Sequence, residues 1–407
     1  RYGVDLKERE EFTFSPVNFG VVLHAVIREV CDEIKKNGES YYLISEEKRR
    51  EMVKRSVAAI TDIYQNSILK DSSRNSFMIK RMEDLADRTI WAMGEQLKCG
   101  DFVPFVFEHK FNMEVGDGDR KQLMSGTIDR VDICENGTDV YVRIIDYKTG
   151  KKDFNIVKTY YGIDIQLMVY MEAAMKLVAK MRPGKNVIPA GVFYYNISDP
   201  IVSATTESAE EIEDKIKGEL RLKGMVNSDK DIAEKMDNTG GTSLNIPVSR
   251  KADGGFDSRR SKVMNTEQFN MLGRFVDVRA VDTADRIAGG DIRRSPYKDG
   301  QFSSCDRCPY GAVCGFSVDL PGCNYRKLKK FDDEVLWNNI KEGVDENGKK
   351  KLLFSDTDSN PMYRVYSGFL NKKEAEKEEK RVINKIEEYK EAKTLEEYLE
   401  QLREGIV

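Results

Sequence analysis

The chain has 407 residues, of which 33% are charged and 40% hydrophobic, and its net charge is −4. No apolar run approaches the roughly 20 residues needed to cross a bilayer, and no signal peptide opens the chain, so we expect a soluble, cytoplasmic protein that does not act at a membrane. The negative net charge disfavours a protein whose whole surface binds nucleic acid. Because the chain starts at Arg1 rather than at a methionine, we expect a fragment of a longer protein.

The first predicted element is a helix that starts at Ser15-Pro16, with serine as N-cap and proline as the first helical residue. His24 lies at the edge of the apolar stripe of this helix. From spacing alone, a packed and hydrogen-bonded histidine is a simpler interpretation than a metal ligand. Residues 45–99 predict more helix, with a core-facing stripe formed by Met78, Met82, Leu85, Ile90 and Met93.

A strand is predicted from Val103 to Met113, and a β-hairpin from Gly126 to Lys148 with its turn at Asn136-Gly137. Glu108 and His109 lie on opposite faces of the first strand. Neither has a role that the pattern supports, since a surface salt bridge explains Glu108 equally well.

Acidic residues alternate along both strands of the predicted hairpin. With a two- or four-residue loop, Asp129 pairs with Ile144 and Thr127 pairs with Asp146, which places Asp129 and Asp146 on one face together with Lys148. Neighbouring carboxylates repel each other unless a cation lies between them, and oxygen ligands suit Mg²⁺ or Mn²⁺. Lys148 can orient a water and balance the charge of a phosphate. The set therefore indicates metal-assisted phosphodiester hydrolysis, or else a solvent-facing strand with ordinary salt bridges.

The next predicted elements are a helix at 163–181, a buried strand at 187–197, and helices at 208–221 and 266–287. Gln166 and Tyr170 lie on one face of the first of these helices, where they can hold a DNA backbone or form an ordinary surface hydrogen bond. No phosphate-binding loop pattern occurs, so no ATP-driven motor is encoded.

Two basic runs can contact phosphates or form a solvated surface. The first contains Lys148, Lys151, Lys152 and Lys158, and the second contains Arg259, Arg260 and Lys262.

Cysteines cluster late in the chain, as Cys305-x2-Cys308-x5-Cys314 followed by Cys323. This spacing suits Zn²⁺ or an iron-sulfur cluster and by itself slightly favours zinc. The remaining cysteines, Cys31, Cys99 and Cys134, are predicted to be small buried apolar residues.

Three motifs together resemble the RecB-type branch of the PD-(D/E)XK nuclease superfamily. They are Asp129, the triplet Asp146-Tyr147-Lys148, and Gln166-x3-Tyr170. More narrowly, roughly residues 1–340 are similar to the C-terminal nuclease region of the AddB/RexB subunits of bacterial ATP-dependent helicase-nucleases. The resemblance implies an α/β core in the order αβββαβ, a central mixed sheet flanked by helices, helical insertions and a C-terminal cysteine cluster.

The domain organisation that follows has three parts. Residues 1–200 form the nuclease core with a helical insertion, residues 201–330 form an insert and cysteine region that completes the domain, and residues 331–407 form a charged helical tail.

The resemblance also implies a function: a Mg²⁺- or Mn²⁺-dependent DNA exonuclease or endonuclease that processes double-strand break ends for recombinational repair. Its partners would be single-stranded DNA ends and an AddA/RexA-like helicase-nuclease subunit. The motif Phe19-Gly20-x3-His24 resembles one whose histidine binds metal. By resemblance, the metal ligands are His24, Asp129, Asp146 and the Tyr147 carbonyl, and the catalytic residues are Asp129, Asp146, Lys148, Gln166 and Tyr170.

The same resemblance favours a 4Fe-4S cluster on Cys305, Cys308 and Cys314, with a fourth cysteine located before the core. That position precedes Arg1, so we expect an incomplete cluster in this chain, and Cys323 is the nearest substitute ligand. Two alternatives stay open: a stand-alone CRISPR-associated-type iron-sulfur exonuclease and a catalytically silent DNA-end-binding module.

Overall fold

The computed structural model of the chain describes residues 16–63, 73–115, 122–203, 206–306, 308–320 and 323–343. The described residues up to 289, together with those from 336 onward, form one compact unit, and residues 290–335 form a second. The helices predicted within residues 344–407 lie outside the described residues. No helix of the described ranges is both long and apolar enough to cross a membrane.

The first unit is built on a six-stranded sheet with the strand order β1-β2-β3-β4-β5-β6. Its strands are β1 Val103–Val115, β2 Gln122–Asn136, β3 Asp139–Lys148, β4 Asn186–Asn196, β5 Lys223–Asn227 and β6 Val263–Met264. Strands β3 and β4 are parallel, as are β5 and β6, and the other neighbours are antiparallel. The mixed sheet confirms the predicted α/β fold, although β5 and β6 were not predicted as strands.

Helices pack on both faces of this sheet. Their bounds are α1 Pro16–Lys36, α2 Glu46–Ile63, α3 Ser73–Lys98, α4 Ile156–Tyr160, α5 Gln166–Met181, α6 Ala209–Glu219, α7 Lys230–Met236, α8 Thr266–Ala288 and α10 Asp333–Glu342. One core joins α1, α2 and α3 to sheet residues such as Ile145 and Phe193. Helix α5 packs on β3 and β4, and α8 packs on α5. Helix α1 includes Pro16 as predicted, and the predicted N-cap Ser15 lies outside the described residues. Helix α5 starts three residues later than predicted.

The turn between β2 and β3 sets the register of the predicted hairpin. The loop residues are Gly137 and Thr138, and Asn136 pairs with Asp139. Gly137 has a φ of 61°, which fits the first loop position of a type II′ turn. Val131 therefore pairs with Ile144, and the predicted pairing of Asp129 with Ile144 is wrong by two residues.

A buried ion triad explains this register. Asp132 faces Arg143 across the two strands and accepts hydrogen bonds from Arg143 Nε at 2.9 Å and from Arg130 Nε at 2.6 Å. All three side chains are at most 1% exposed. The predicted register would have placed Arg130 directly opposite Arg143, and like charges in opposing positions destabilise a strand pair. A shift of two residues keeps every side chain on its face of the sheet.

Strand β2 leaves β3 before it leaves β1. Its pairing with β3 ends at Arg130, whereas its pairing with β1 continues to Gln122. The two-stranded extension is supported from α8, where Met113 and Met124 pack on Ala280 and Ala284. A gap therefore opens between β2 and β3 at Asp129.

The second unit holds a three-stranded sheet with the order β8-β7-β9 and a short helix. Its elements are β7 Tyr297–Asp299, β8 Phe302–Ser303, α9 Gly311–Cys314 and β9 Arg326–Lys327. Cys305 follows β8, and Cys314 ends α9, which closes on Gly315 with a φ of 62°.

The cysteines outside this unit lie in the first unit. Cys31 and Cys134 are buried, as predicted. Cys99 is only partly buried, so that prediction was wrong for this residue.

Candidate active site

Asp129 lies at the point where β2 separates from β3. Its Oδ2 atom accepts a hydrogen bond from the backbone N–H of Tyr147 at 2.6 Å. The carboxylate thus replaces the backbone acceptor that a continued ladder would supply, and it is held in the gap between the strands. Because the gap is open to both helical layers, side chains from α1 and from α5 can reach it.

His24 reaches the gap from α1. Its Nδ1 atom lies 3.4 Å from Asp129 Oδ1 and 3.4 Å from Glu108 Oε1. Among the described residues, these three form the one group of acidic, histidine or cysteine side chains whose ligand atoms all lie within 4.8 Å of one another. Burial lowers the pKa of His24, but hydrogen bonds and charge from Asp129 and Glu108 outweigh it and raise the pKa to about 10. The imidazolium thus occupies a place where a metal ion would compete with its proton.

Glu108 is the residue that sequence reasoning left without a role. It adopts a φ of 47°, the left-handed region that costs a non-glycine residue about 1–2 kcal/mol. The bulge between Pro104 and Val106 precedes it. Strained backbone of this kind clusters at functional sites. The available signal was its position on the strand face opposite the phenylalanines, which alone did not separate it from a surface residue.

Asp146 is 1% exposed and lies on β3, level with Asp129. Lys148 Nζ lies 2.6 Å from Asp146 Oδ2, so the structure brings these two predicted residues together. Burial raises the pKa of Asp146, and the charge of Asp129 adds to this, while Lys148 opposes both; the resulting pKa is about 6. A bound cation would supply the counter-charge that the Asp146 carboxylate lacks and would favour its ionised form.

Gln166 and Tyr170 reach the site from the first turns of α5. Gln166 Nε2 donates to Asp146 Oδ1 at 3.1 Å and to the Tyr170 hydroxyl at 3.0 Å. The ring of Tyr170 lies edge-on to Phe111, with 5.7 Å between ring centres. A Cβ atom on Gly126 would come within 2.8 Å of Phe111 and 3.3 Å of Tyr170. Gly126 therefore leaves the space that these rings occupy, a role that the sequence pattern did not reveal.

Tyr147 lies between the two halves of the site. Its backbone N–H binds Asp129, and its ring meets that of His24 edge-on at 5.9 Å. The other histidine, His109 on β1, pairs with Ile128 on β2 and is not part of the His24 group.

The cysteine positions belong to the second unit. Cys308 is exposed, whereas Cys305, Cys314 and Cys323 are partly buried. Arg294 donates to the carbonyls of Cys314 at 3.1 Å and Gly315 at 3.0 Å. In the described residues, no three of these thiols lie within 4.8 Å of one another. That distance is typical of thiolates that bind a single ion and not of thiolates around a four-iron cluster.

Known nucleases and nuclease subunits are similar to this chain in sequence. The sequence profile of the PD-(D/E)XK nuclease superfamily matches residues 1–315. Similar proteins are each named as a subunit of an ATP-dependent helicase/deoxyribonuclease. The relative from Caldanaerobacter subterraneus subsp. tengcongensis is 34% identical over 86% of this chain and 31% of its own length. The relative from Thermoanaerobacter sp. (strain X514) is 32% identical over the same shares. The relative from Lachnoclostridium phytofermentans is 32% identical over 88% of this chain and 32% of its own length. The chain thus spans about a third of the length of these relatives.

Proposed function

Because the chain belongs to the PD-(D/E)XK nuclease superfamily, we propose that it is the metal-dependent DNA nuclease region of a helicase-nuclease subunit. The observation that carries this proposal is the row of Glu108, Asp129 and Asp146 on three adjacent strands, met by His24 and Lys148. Three carboxylates and one imidazole, gathered at a gap in the sheet, fit the oxygen-rich donor set that Mg²⁺ and Mn²⁺ prefer.

The residues that would hold Mg²⁺ or Mn²⁺ are His24, Asp129, Asp146 and the Tyr147 carbonyl, and Glu108 joins them on geometry. The bound ions would polarise the scissile phosphate and lower the pKa of a water. Lys148 would orient that water and balance the charge of the phosphate. Gln166 and Tyr170 would position the DNA backbone, since the amide is already held between Asp146 and the phenol.

The relatives' names support a helicase/deoxyribonuclease assembly, and the family resemblance implies the partner and the biological task. As a region of a helicase/deoxyribonuclease subunit, the chain would act on single-stranded ends delivered by a helicase-nuclease partner of the AddA/RexA type, in the repair of double-strand breaks. The cytoplasmic location and the division into residues 1–200, 201–330 and 331–407 stay part of this proposal.

The test is cleavage of end-labelled single-stranded DNA by the purified chain, with and without Mg²⁺. Asp146→Asn should lower the rate by roughly two orders of magnitude or more, because it removes a charge at the reacting centre. Asp139→Asn is the matched control, since Asp139 lies at the opposite end of β3, where it accepts a hydrogen bond from Asn186. Equal cleavage by wild type and Asp146→Asn would refute the assignment.

The proposal extends to the cysteines. Cys305, Cys308 and Cys314 would bind a 4Fe-4S cluster. The iron content of purified chain tests this assignment: iron that is lost in Cys308→Ser supports it, and iron that is unchanged in Cys308→Ser would contradict it. Loss of iron in Cys323→Ser would identify Cys323 as the fourth ligand.

A further inference from the structure

The row of side chains that contains the acidic residues continues across the sheet and changes sign. Asp146 pairs with Tyr194 on β4, and Tyr194 pairs with Lys223 on β5. Paired residues on neighbouring strands project from the same face. Lys223 is therefore two strands from Asp146, on the same face and at the same end of the sheet. Since neighbouring strands are about 4.8 Å apart, the two backbones are separated by about 10 Å.

Lys223 sits in a basic cluster that its surroundings only partly neutralise. Burial lowers the pKa of Lys223 most and the charge of Arg221 lowers it further, whereas Asp153 and Glu219 oppose this shift more strongly than Lys262 adds to it. Lys262 Nζ itself lies 2.5 Å from Asp153 Oδ2. Arg221 precedes Lys223 by two residues, and Lys262 precedes β6 directly. Three cations thus lie beside two carboxylates, and the remaining positive charge destabilises the fold unless an anion offsets it.

Arg221 supplies a second, independent observation. Its Nε atom is buried and has no hydrogen-bond partner in the described part of the chain. Its NH1 atom reaches the carbonyl of Ser243 at a long 3.4 Å. A buried charged donor without an acceptor carries a free-energy cost, which an oxygen-rich anion would remove.

Two more lysines connect the cluster to the acidic site. Lys148 Nζ and Lys152 Nζ lie 5.7 Å and 5.2 Å from the ring centre of Tyr194, the residue between Asp146 and Lys223 in the row. Lys152 also pairs with Asp164 at 3.2 Å, which fixes its position. Basic side chains therefore extend along this face from the acidic site towards β5, and Lys148 and Lys152 each have a carboxylate partner there.

We infer that Arg221, Lys223 and Lys262 form a phosphate-binding subsite for the DNA strand that flanks the cleaved bond. The ligand class is the phosphodiester backbone of single-stranded nucleic acid, which is bound through charge and without regard to base sequence. This inference rests on the proposed function, because it assigns the neighbouring phosphates of the same substrate. It also gives a role to Lys262, a member of the second basic run.

The experiment measures binding of a fluorescent oligothymidylate to the full chain in EDTA, as a function of salt concentration. For single strands, each lost phosphate contact reduces the slope of log K against log salt by about 0.7. Lys223→Gln should flatten the slope by about that amount, and Lys223→Gln with Lys262→Gln by about twice as much. Lys185→Gln is the matched control, since Lys185 donates to the Gly137 carbonyl at the hairpin turn, the opposite end of the sheet. Its slope should equal that of wild type.

Several results would overturn the inference: an unchanged slope in Lys223→Gln, no binding by wild type, or a loss of affinity that depends on the base sequence of the oligonucleotide. Lys262 is exposed, so Lys262→Gln tests the subsite even if substitution of Lys223 impairs folding. Cleavage in Mg²⁺ is measured separately. If the salt slopes of wild type and variants are as expected but wild type does not cleave DNA, the nuclease assignment is refuted and the subsite is supported. If wild type cleaves DNA but the variants have the salt slope of wild type, the subsite is refuted and the nuclease assignment is supported.

Discussion

Two sets of buried charge lie within a few residues of each other on strands β2 and β3. Arg130, Asp132 and Arg143 form the first, and burial of Asp132 is outweighed by the two arginines, so that its pKa is lowered. The second set contains Asp129 and Asp146, and there the pKa of Asp146 is raised to about 6 by burial and by the charge of Asp129. Two aspartates on one sheet, Asp132 and Asp146, are both at most 1% exposed, yet their pKa values shift in opposite directions.

The difference is the counter-charge that the fold itself supplies. Each oxygen of Asp132 is bound by a guanidinium, so this carboxylate has its counter-charge without a ligand. In the second, Glu108, Asp129 and Asp146 outnumber the cations His24 and Lys148. Burial alone thus does not distinguish a structural carboxylate from a metal-binding one, whereas the local balance of charge does.

The largest effect should come from breaking the first set. Asp132→Asn leaves two buried guanidinium groups without a carboxylate, a change that typically costs about 3–5 kcal/mol. Asp146→Asn removes a carboxylate that its neighbours repel and should cost far less. Urea unfolding of both variants without metal measures the contrast. Similar losses of stability in the two would show that the sets do not differ as described.

A divalent cation should complete the second set. Mn²⁺ at about a hundred times its dissociation constant should raise the free energy of unfolding by about 2.7 kcal/mol. Glu108→Gln should reduce this gain, because it removes a ligand from the group around His24. Glu114→Gln, on the same strand with an exposed side chain, should not. Equal stabilisation of both variants by Mn²⁺ would remove Glu108 from the site.

The pH dependence of stability should separate the sets further. The pKa of Asp146 is about 6 in the folded chain against an ordinary 3.8. Between these values the unfolded chain ionises first, so the free energy of unfolding falls as pH rises from about 4 to about 6, by up to about 3 kcal/mol. Below this window both states are protonated and the cost disappears. Asp146→Asn should lack this fall, and a parallel pH profile in both proteins would contradict the raised pKa.

The sequence contained most of the fold but not the register of its central hairpin. Alternation along β2 and β3 and the Asn136-Gly137 pair predicted the hairpin, yet a two-residue loop can consist of Asn136 and Gly137 or of Gly137 and Thr138. The pairing was decided by Asp132 facing Arg143, a charge match that alternation of apolar residues does not include. Short strands such as β6, with two residues, carry no periodic signal at all.

Only some residues of the site could be predicted from the sequence, for a similar reason. Asp146 and Lys148 are two residues apart on one strand, so local periodicity suffices to bring them together. Glu108 and Gly126 depend on contacts between elements: one reaches His24 from β1, and the other leaves space for Tyr170. No local pattern encodes such contacts, because they arise only when β2 separates from β3.

The smallest effect should come from the edge of the second set, at Tyr170. Tyr170→Phe removes the hydroxyl that accepts from Gln166 Nε2, while Gln166 still donates to Asp146 and the ring keeps its edge-on contact with Phe111. One neutral hydrogen bond is worth about 0.5–1.5 kcal/mol, so the single-turnover cleavage rate or the DNA affinity should fall by roughly 2- to 10-fold. Gln166→Ala removes both contacts and should cost more. Tyr42→Phe, at an exposed position, provides the control. If Tyr170→Phe were as inactive as Asp146→Asn, the phenol would take part in the chemical step and would not only position the DNA backbone.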